Sequence, residues 1–436
     1  MPTIKKGINM KNLEINSINK PEPSPFYRWL VLFFISMAMF GNYYIYDSIS
    51  PLADLLKSQL GFSDSNIGLL NAIYSIPNVF MVLIGGYIID KIGTKKAAIL
   101  FSSFCMIGAV ITASKGDLAT MATGRLIFGL GAESLIVAVT TVIAKWFTGK
   151  ELSFAFGLNL TVARLGSFAA LNSPTLAKSL FSDWQKPLFI SVAAGVVSVL
   201  AVIVYFSMES RASRKYRLAR AEDVDAVPLG TFFSTIKQMN KSSFWFITLL
   251  CVTFYSAIFP FQTFAVKFFI EQHGLSREMA GFTSSFITFA AMIGTPLFGF
   301  IIDRVGRRAS MMMLGSVLLI PVYLLLIYTR LHPLVPMVMM GVAFSLIPAA
   351  MWPSVALIIE QERLGTAYGL MTMIQNIGLA GFNLLIGTVN DVSGDYTAGM
   401  WIFSILGFAG MLFAYLLKKS DAQTNDGKLE FSKANS

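Results

Sequence analysis

The chain has 436 residues, 55% hydrophobic and only 13% charged, with a formal net charge of +10 and a mean hydropathy of +0.65. A soluble protein carries about 25% charged residues, so a soluble enzyme or binding module is excluded, and the long apolar runs exclude the short alternating segments of a β-barrel. The basic residues sit between apolar runs and form no aromatic–basic pattern, which excludes a nucleic-acid partner.

Residues 1–27 are polar and too long for the n-region of a cleaved signal, and they read as a cytoplasmic tail. Apolar runs long enough to cross a bilayer follow near 28–47, 66–89, 97–114, 118–144, 152–178 and 187–207. A second set lies near 243–271, 278–302, 309–329, 333–359, 364–389 and 396–417. The expected fold is an all-α polytopic membrane protein with twelve transmembrane helices. Its two six-helix halves, 28–207 and 243–417, are joined by a cytoplasmic central loop at 208–242 and followed by a cytoplasmic tail at 418–436. Most of the 34 Lys and Arg residues lie in the tails and in loops on the N-terminal side; the opposite loops hold Lys57, Lys115, Lys178, Lys186, Arg277 and Arg330. That asymmetry predicts cytoplasmic termini. The sequons at Asn159 and Asn240 fall in a span and in the central loop, where neither suits glycosylation, and the N-terminal tail carries no dileucine-type sorting element. A bacterial inner (cytoplasmic) membrane fits these features best, with the lipid bilayer as surroundings and a monomer as the functional unit.

Span 1 ends in Tyr43, Tyr44, Tyr46 and Asp47. Tyr43 and Tyr46 share a helix face and suit either an aromatic ligand wall with hydroxyls or an interfacial aromatic belt. Asp47, near the span boundary, suits helix-end or gate duty as well as ligand contact. In span 3 Cys105, and in span 7 Cys251, read as small buried hydrophobes, with no disulfide expected.

Span 4 carries Arg125 and Glu133, and span 5 carries Arg164. The polar turn KWFTGKE separates the two spans and lies midway between Glu133 and Arg164. Each is about 15 residues from the turn, or roughly 22 Å along a helix, so both reach the middle of a hydrocarbon core about 30 Å thick. A charge at that depth costs on the order of 2.5–3.5 kcal/mol. A small zwitterionic substrate explains both charges: a carboxylate holds an ammonium, and a guanidinium holds a carboxylate in a bidentate fork. The alternatives are an internal salt bridge bracing spans 4 and 5 and proton coupling through Glu133. Arg125 reads as structural.

In span 7, Tyr255, Pro260, Gln262 and Lys267 follow one another. Pro260 is expected to break the helix. Lys267 could pair with Asp47 in an outer gate, because spans 1 and 7 are equivalent, or snorkel to the interface. Trp352 with Pro353 in span 10, and Gln375 with Asn376 in span 11, supply polar and aromatic groups on the other half's wall. Asn376 could contact a peptide bond or hydrogen-bond between helices.

The halves repeat. GYIIDKIGTKK after span 2, with Gly86, Asp90 and Gly93, matches GFIIDRVGRR after span 8, with Gly299, Asp303 and Gly306, at one constant offset. The carboxylates could favour a helix N-terminus of the other half and so gate that side, or simply set loop architecture and topology. The glycines permit tight turns and close helix approach. This element, with Arg125, Gly129 and Gly131 in span 4, resembles signatures of the major facilitator superfamily, a fold of two six-span halves. The glycine–proline signature of its drug/proton antiporter branch is missing from span 5.

Closer stretches are GNYYIYDSIS, YSIPNVF, GRLIFGLGAESLIVA, WFTGKELSFAFGLNLTVARLGS, YSAIFPFQTFAVKFF and MWPSVALIIEQERLGTAYGLMTMIQNIGLA. Together they resemble the lysosomal dipeptide transporter family and its bacterial relatives across nearly all spans. The resemblance implies passive or proton-influenced movement of short peptides, with Glu133 and Arg164 contacting substrate. The glycosylated partner and lysosomal setting of the animal member are not expected here. A proton-coupled carrier of a single amino acid or organic anion, and a non-transporting nutrient receptor, are the alternatives. No nucleotide-binding loop, hydrolase elbow or Cys/His cluster is present, so neither an enzyme nor an ATP-driven pump is expected. No cofactor or metal is expected; a proton could serve as the coupling ion.

Overall fold

A computed structural model describes residues 21, 23–147, 152–216, 242–359, 364–424 and 427–430. The N-terminal half consists of α1 (Pro25–Asp47), α2 (Ala53–Leu60), α3 (Asp64–Ile73), α4 (Ser75–Ile92), α5 (Thr94–Ser114), α6 (Leu118–Trp146), α7 (Leu152–Leu171) and α8 (Lys186–Lys215). The C-terminal half consists of α9 (Ser242–His273), α10 (Arg277–Val305), α11 (Arg308–Tyr328), α12 (Leu334–Ile358), α13 (Leu364–Ser393) and α14 (Thr397–Thr424). Eleven stretches of the described residues are long and apolar enough to cross a membrane. The remaining predicted span is α3 and α4 together, so the chain is a multi-pass helical membrane protein.

The two halves share one arrangement. In the first, α1 packs on α7 and α8, α5 on α6 and α8, and α4 on α6. In the second, α9 packs on α13 and α14, α11 on α12 and α14, and α10 on α12. The halves meet where α13 lies along α3 and α4, and where α10 lies along α7. The end holding the start of α1 and the finish of α14 is termed the terminal face, and the opposite end the distal face.

Several boundaries differ from the sequence expectation. Span 5 ends at Leu171 instead of 178; Pro174 sits in a separate four-residue turn, Ser173–Leu176, before a 3-10 segment at Lys178–Ser182. The helix of span 6 runs on to Lys215, into the segment expected as central loop. Most of that loop lies outside the described residues. Span 7 is not broken: α9 continues through Pro260, and Tyr323 donates its hydroxyl to Ala257 O at 2.7 Å, in the turn that the proline disturbs.

Span 2 is the broken one, at Tyr74, three residues before Pro77. The proline has no N–H to give the preceding turn. The break is held by α6. A Cβ on Gly129 would lie 2.2 Å from Tyr74 O and 2.6 Å from Pro77 Cγ, so only glycine fits there. One turn earlier Arg125, 1% exposed, spends its guanidinium on helix ends. Its Nε donates to Leu70 O at 3.1 Å, Nη1 to Ile45 O at 3.0 Å, and Nη2 to Tyr46 O at 3.2 Å and Asn71 Oδ1 at 3.0 Å. A cation suits the carbonyl-rich end of α1 and α3. Each hydrogen bond to a charged group is worth about 1.5–3 kcal/mol. Arg125→Leu is therefore expected to lower the melting temperature of the purified protein sharply, with Arg125→Lys intermediate. A melting curve for Arg125→Leu that overlays the parent's would refute the brace.

The halves are sealed at the distal face. Lys267, 1% exposed, donates to Asp64 across the interface. It also lies 3.7 Å from Glu271, and Lys57 lies 3.9 Å from Asp64. Arg277 grips Asp54 with two bonds of 2.7 and 2.6 Å. Lys178 pairs with Glu278 at 2.6 Å, and Asp391 accepts the N–H groups of Asp64 and Ser65 at 2.8 and 2.7 Å. Glycines let the backbones touch: a Cβ on Gly68, Gly281 or Gly387 would come within 2.4, 2.3 or 2.4 Å of a carbonyl oxygen of the facing half.

The expected pairing of Lys267 with Asp47 is thus corrected: its partner is Asp64. The terminal face is organised differently. Gly93 and Gly306 end their helices at φ of 81° and 69°, a turn that favours glycine. Gly86 and Gly299, expected to permit close approach, face open space: a Cβ at either position would meet nothing within 4 Å. Asp303 bonds Arg308 of its own half at 2.6 Å, with its side chain 69% exposed, and reaches no helix end of the other half through that bond. The side chain of Asp90 lies outside the described residues.

Candidate functional site

Between the halves, at mid-depth, lies a cavity of ≈ 460 Å³. The N-terminal half gives it Asn42, Tyr43 and Tyr46 from α1, Glu133 from α6 and Arg164 from α7; Tyr74 lines it at the break of span 2. The C-terminal half gives Tyr255 and Phe259 from α9, Thr295 from α10, Phe344 and Trp352 from α12, and Thr372 and Gln375 from α13.

Glu133 and Arg164 are both half-buried and both face this space. No ion pair joins them among the described residues. The internal brace is therefore not formed, and each charge remains available to a ligand. The Arg164 guanidinium lies 5.5 Å from the Tyr43 ring and 5.1 Å from the Phe344 ring, between aromatic groups of opposite halves. Such stacking fixes the plane of the fork while leaving its N–H groups free for a carboxylate. The sealed distal face closes off both charges from that side.

The other predicted residues divide. Tyr46 meets Tyr74 edge-on at 5.0 Å and Phe259 of the other half at 6.0 Å. Trp352 Nε1 donates to Tyr255 OH at 3.1 Å, and Tyr368 OH donates to Trp352 O at 2.9 Å, so an aromatic wall is tied together on the terminal side. Gln375 Oε1 accepts from Cys251 Sγ at 3.3 Å and keeps its place in the lining. Gln262 and Asn376 do not line the cavity. Gln262 sits in a small distal void with Asp47 and Asn71, and its carbonyl accepts from Ser50 Oγ at 2.6 Å. Asn376 turns its amide onto Thr372 O of its own helix at 3.0 Å. Tyr44 packs with Ala170 and Ala194, away from the cavity. Both cysteines are free and buried.

Sequence reasoning passed over Asn42, Tyr74, Thr295, Phe344 and Thr372. Asn42 donates to Ala132 O at 3.2 Å and so fixes the backbone next to Glu133. An asparagine within span 1 was a readable signal. Phe344 had none, being one of 37 phenylalanines.

Comparison with known proteins agrees with this architecture. The lysosomal dipeptide transporter MFSD1 of Danio rerio is 32% identical over 403 residues, spanning 89% of this chain and 86% of the relative. MFSD1 of Homo sapiens is 30% identical over 421 residues, spanning 93% and 89%. The crystal structure of the nucleoside transporter NupG superposes with a TM-score of 0.68 at 16% identity, covering 89% of this chain and 98% of that one, which is a likeness of fold alone. A family described as the Major Facilitator Superfamily matches residues 32–287 and 261–435, taking in both six-helix halves. With its paired halves, its central cavity and that match across both, the chain belongs to the Major Facilitator Superfamily.

Proposed function

We propose that this protein is a secondary carrier that moves short peptides, dipeptides foremost, by alternating access. The observation that carries this reading is the pair Glu133 and Arg164, which line one cavity of ≈ 460 Å³ with no ion pair between them. That volume is within the range of small-molecule sites, about 300–1,000 Å³. Two unpaired opposite charges at mid-membrane favour a ligand charged at both ends. The α-ammonium goes to Glu133 and the α-carboxylate to Arg164, while side chains rest on Tyr255, Phe259 and Trp352. The similarity to MFSD1 of two vertebrates supports the peptide class.

The chain works as a monomer without cofactor, and Glu133 is the group through which a proton would influence transport. The terminal face is cytoplasmic by the distribution of Lys and Arg, and the poorly placed sequons at Asn159 and Asn240, with no dileucine-type element in residues 1–27, favour a bacterial inner membrane. The sealed distal face then corresponds to a state closed to the side opposite the cytoplasm.

A thermal-shift screen of the detergent-purified protein tests the substrate class. A ligand that binds only the folded state raises the melting temperature by mass action. Dipeptides are expected to stabilise, and single amino acids less so. Stabilisation by organic acids or sugars alone would overturn the peptide reading.

A further inference from the structure

A second cavity, of ≈ 440 Å³, lies away from the central site, in the crevice between α1 and α8 near the terminal face. Its lining is graded. Phe34 and Leu30 of α1 and Val204 of α8 are apolar, and Val204, Met208, Arg211 and Lys215 follow along one stripe of α8 at helical spacing. The stripe thus runs from apolar to basic as α8 leaves the membrane. Tyr27 closes the same end: its hydroxyl donates to Met208 O at 2.9 Å, and its ring lies 5.9 Å from the Tyr216 ring.

Arg211 and Lys215 are exposed, and neither forms an ion pair among the described residues. The nearest acid on their helix, Glu209, is fully buried and turned away, taken by Lys145 and Trp146. Lys215 lies 5.4 Å from the Tyr216 ring, which holds its ammonium beside the groove mouth. An apolar slot with two cations and two tyrosines at its mouth matches the profile of a phospholipid, with acyl chain below and phosphate above. Tyrosine and basic side chains are favoured at that depth of a bilayer.

We propose that this crevice is a binding site for an anionic phospholipid, whose acyl chain fills the space between Phe34, Leu30 and Val204 while its phosphate meets Arg211 and Lys215. The occupant is taken to be a lipid and not a free anion, because the cations open onto an apolar slot that a phosphate alone would leave empty.

The test uses the full chain in neutral detergent, with native mass spectrometry and melting curves. The probes are phosphatidylglycerol, phosphatidylcholine and glycerol 3-phosphate. Phosphatidylglycerol is expected to give a one-to-one adduct and raise the melting temperature, while the other two do neither. An Arg211→Gln/Lys215→Gln variant should bind it about 30-fold more weakly, at about 1 kcal/mol for each basic residue near the surface. Without lipid this variant should melt like the parent. Should the variant fold poorly, Leu30→Trp, which fills the slot, should also remove the adduct. Equal binding of phosphatidylcholine, or undiminished binding by the variants, would overturn the proposal. So would binding of glycerol 3-phosphate as tight as that of the lipid. The central loop beyond α8 carries Glu222, Asp223 and Asp225; if the adduct forms only in a Glu222→Gln/Asp223→Asn/Asp225→Asn variant, the occupant of the groove is that acidic run and the lipid assignment is likewise overturned.

Discussion

Arg164→Ala is expected to abolish dipeptide-induced stabilisation and dipeptide uptake while leaving the melting temperature of the ligand-free protein close to the parent's. Among the described residues, the guanidinium is the one cation lining the central cavity, stacked between Tyr43 and Phe344. A charge-assisted hydrogen bond is worth about 1.5–3 kcal/mol, so its loss should weaken binding roughly 10- to 150-fold. Arg164→Lys keeps the charge but loses the fork and the stacking, and should fall between. Because no ion pair braces Arg164 to Glu133, its removal breaks no salt bridge among the described residues. A large drop in ligand-free stability would therefore contradict the free-ligand arrangement. Glu133→Gln should impair zwitterions and spare lone carboxylates, since an anion has no use for the glutamate. If Glu133→Gln transports dipeptides as the parent does, the ammonium is held elsewhere.

The site was legible where membrane physics penalises a residue, and illegible where it does not. Glu133 and Arg164 stood out because a charge inside an apolar run demands a reason, and the shared turn placed them at one depth. Both line the cavity. Phe344, which stacks on Arg164 from the other half, is as apolar as its neighbours, and no pattern in span 10 distinguishes it. Fold class and the repeat were legible from hydropathy and from the paired glycine–aspartate loops. The break in span 2 was not expected from Pro77, while a break was expected at Pro260, where the helix continues. A proline marks a missing hydrogen bond, but neighbours decide whether the helix parts. Gly129 and Arg125 receive the chain at Tyr74, whereas Tyr323 repairs the turn before Pro260.

The partner of Lys267 was missed for a similar reason. Pseudo-symmetry pointed it at Asp47. The chain after α1 instead turns through a 3-10 segment at Ser50–Leu52 and the short helix α2, which bring Asp64, at the start of α3, level with Lys267. Asp47 stays near Gln262 and Thr263, about one helical turn lower. Sequence spacing fixes depth within a span but not across an irregular connection.

That ion pair carries the second large expectation. Lys267→Met should shift the protein toward a state open at the distal face. Lys267 and Asp64 are 1% and 5% exposed at their side chains, and Glu271 lies on the same lysine. Removing the cation leaves the carboxylates of Asp64 and Glu271 facing each other across the interface of the halves, with the half-exposed Lys57, 3.9 Å from Asp64, as a more distant partner. Breaking one partner of a buried pair costs about 3–5 kcal/mol, and inverting a two-state ratio from 1:99 to 99:1 takes about 5.5 kcal/mol. A substantial redistribution is therefore expected, even with Arg277 still on Asp54. Spin labels at Ser58→Cys and Gln272→Cys, both exposed on the distal side of opposite halves, report it after Cys105 and Cys251 are replaced. The parent should give one short distance population, and Lys267→Met should add a longer one. Lys267→Met combined with Asp64→Leu removes the stranded charge and should return part of the population to the short distance. Identical distance distributions for parent and Lys267→Met would mean that the glycine contacts of Gly68, Gly281 and Gly387, not the charges, hold the distal face shut.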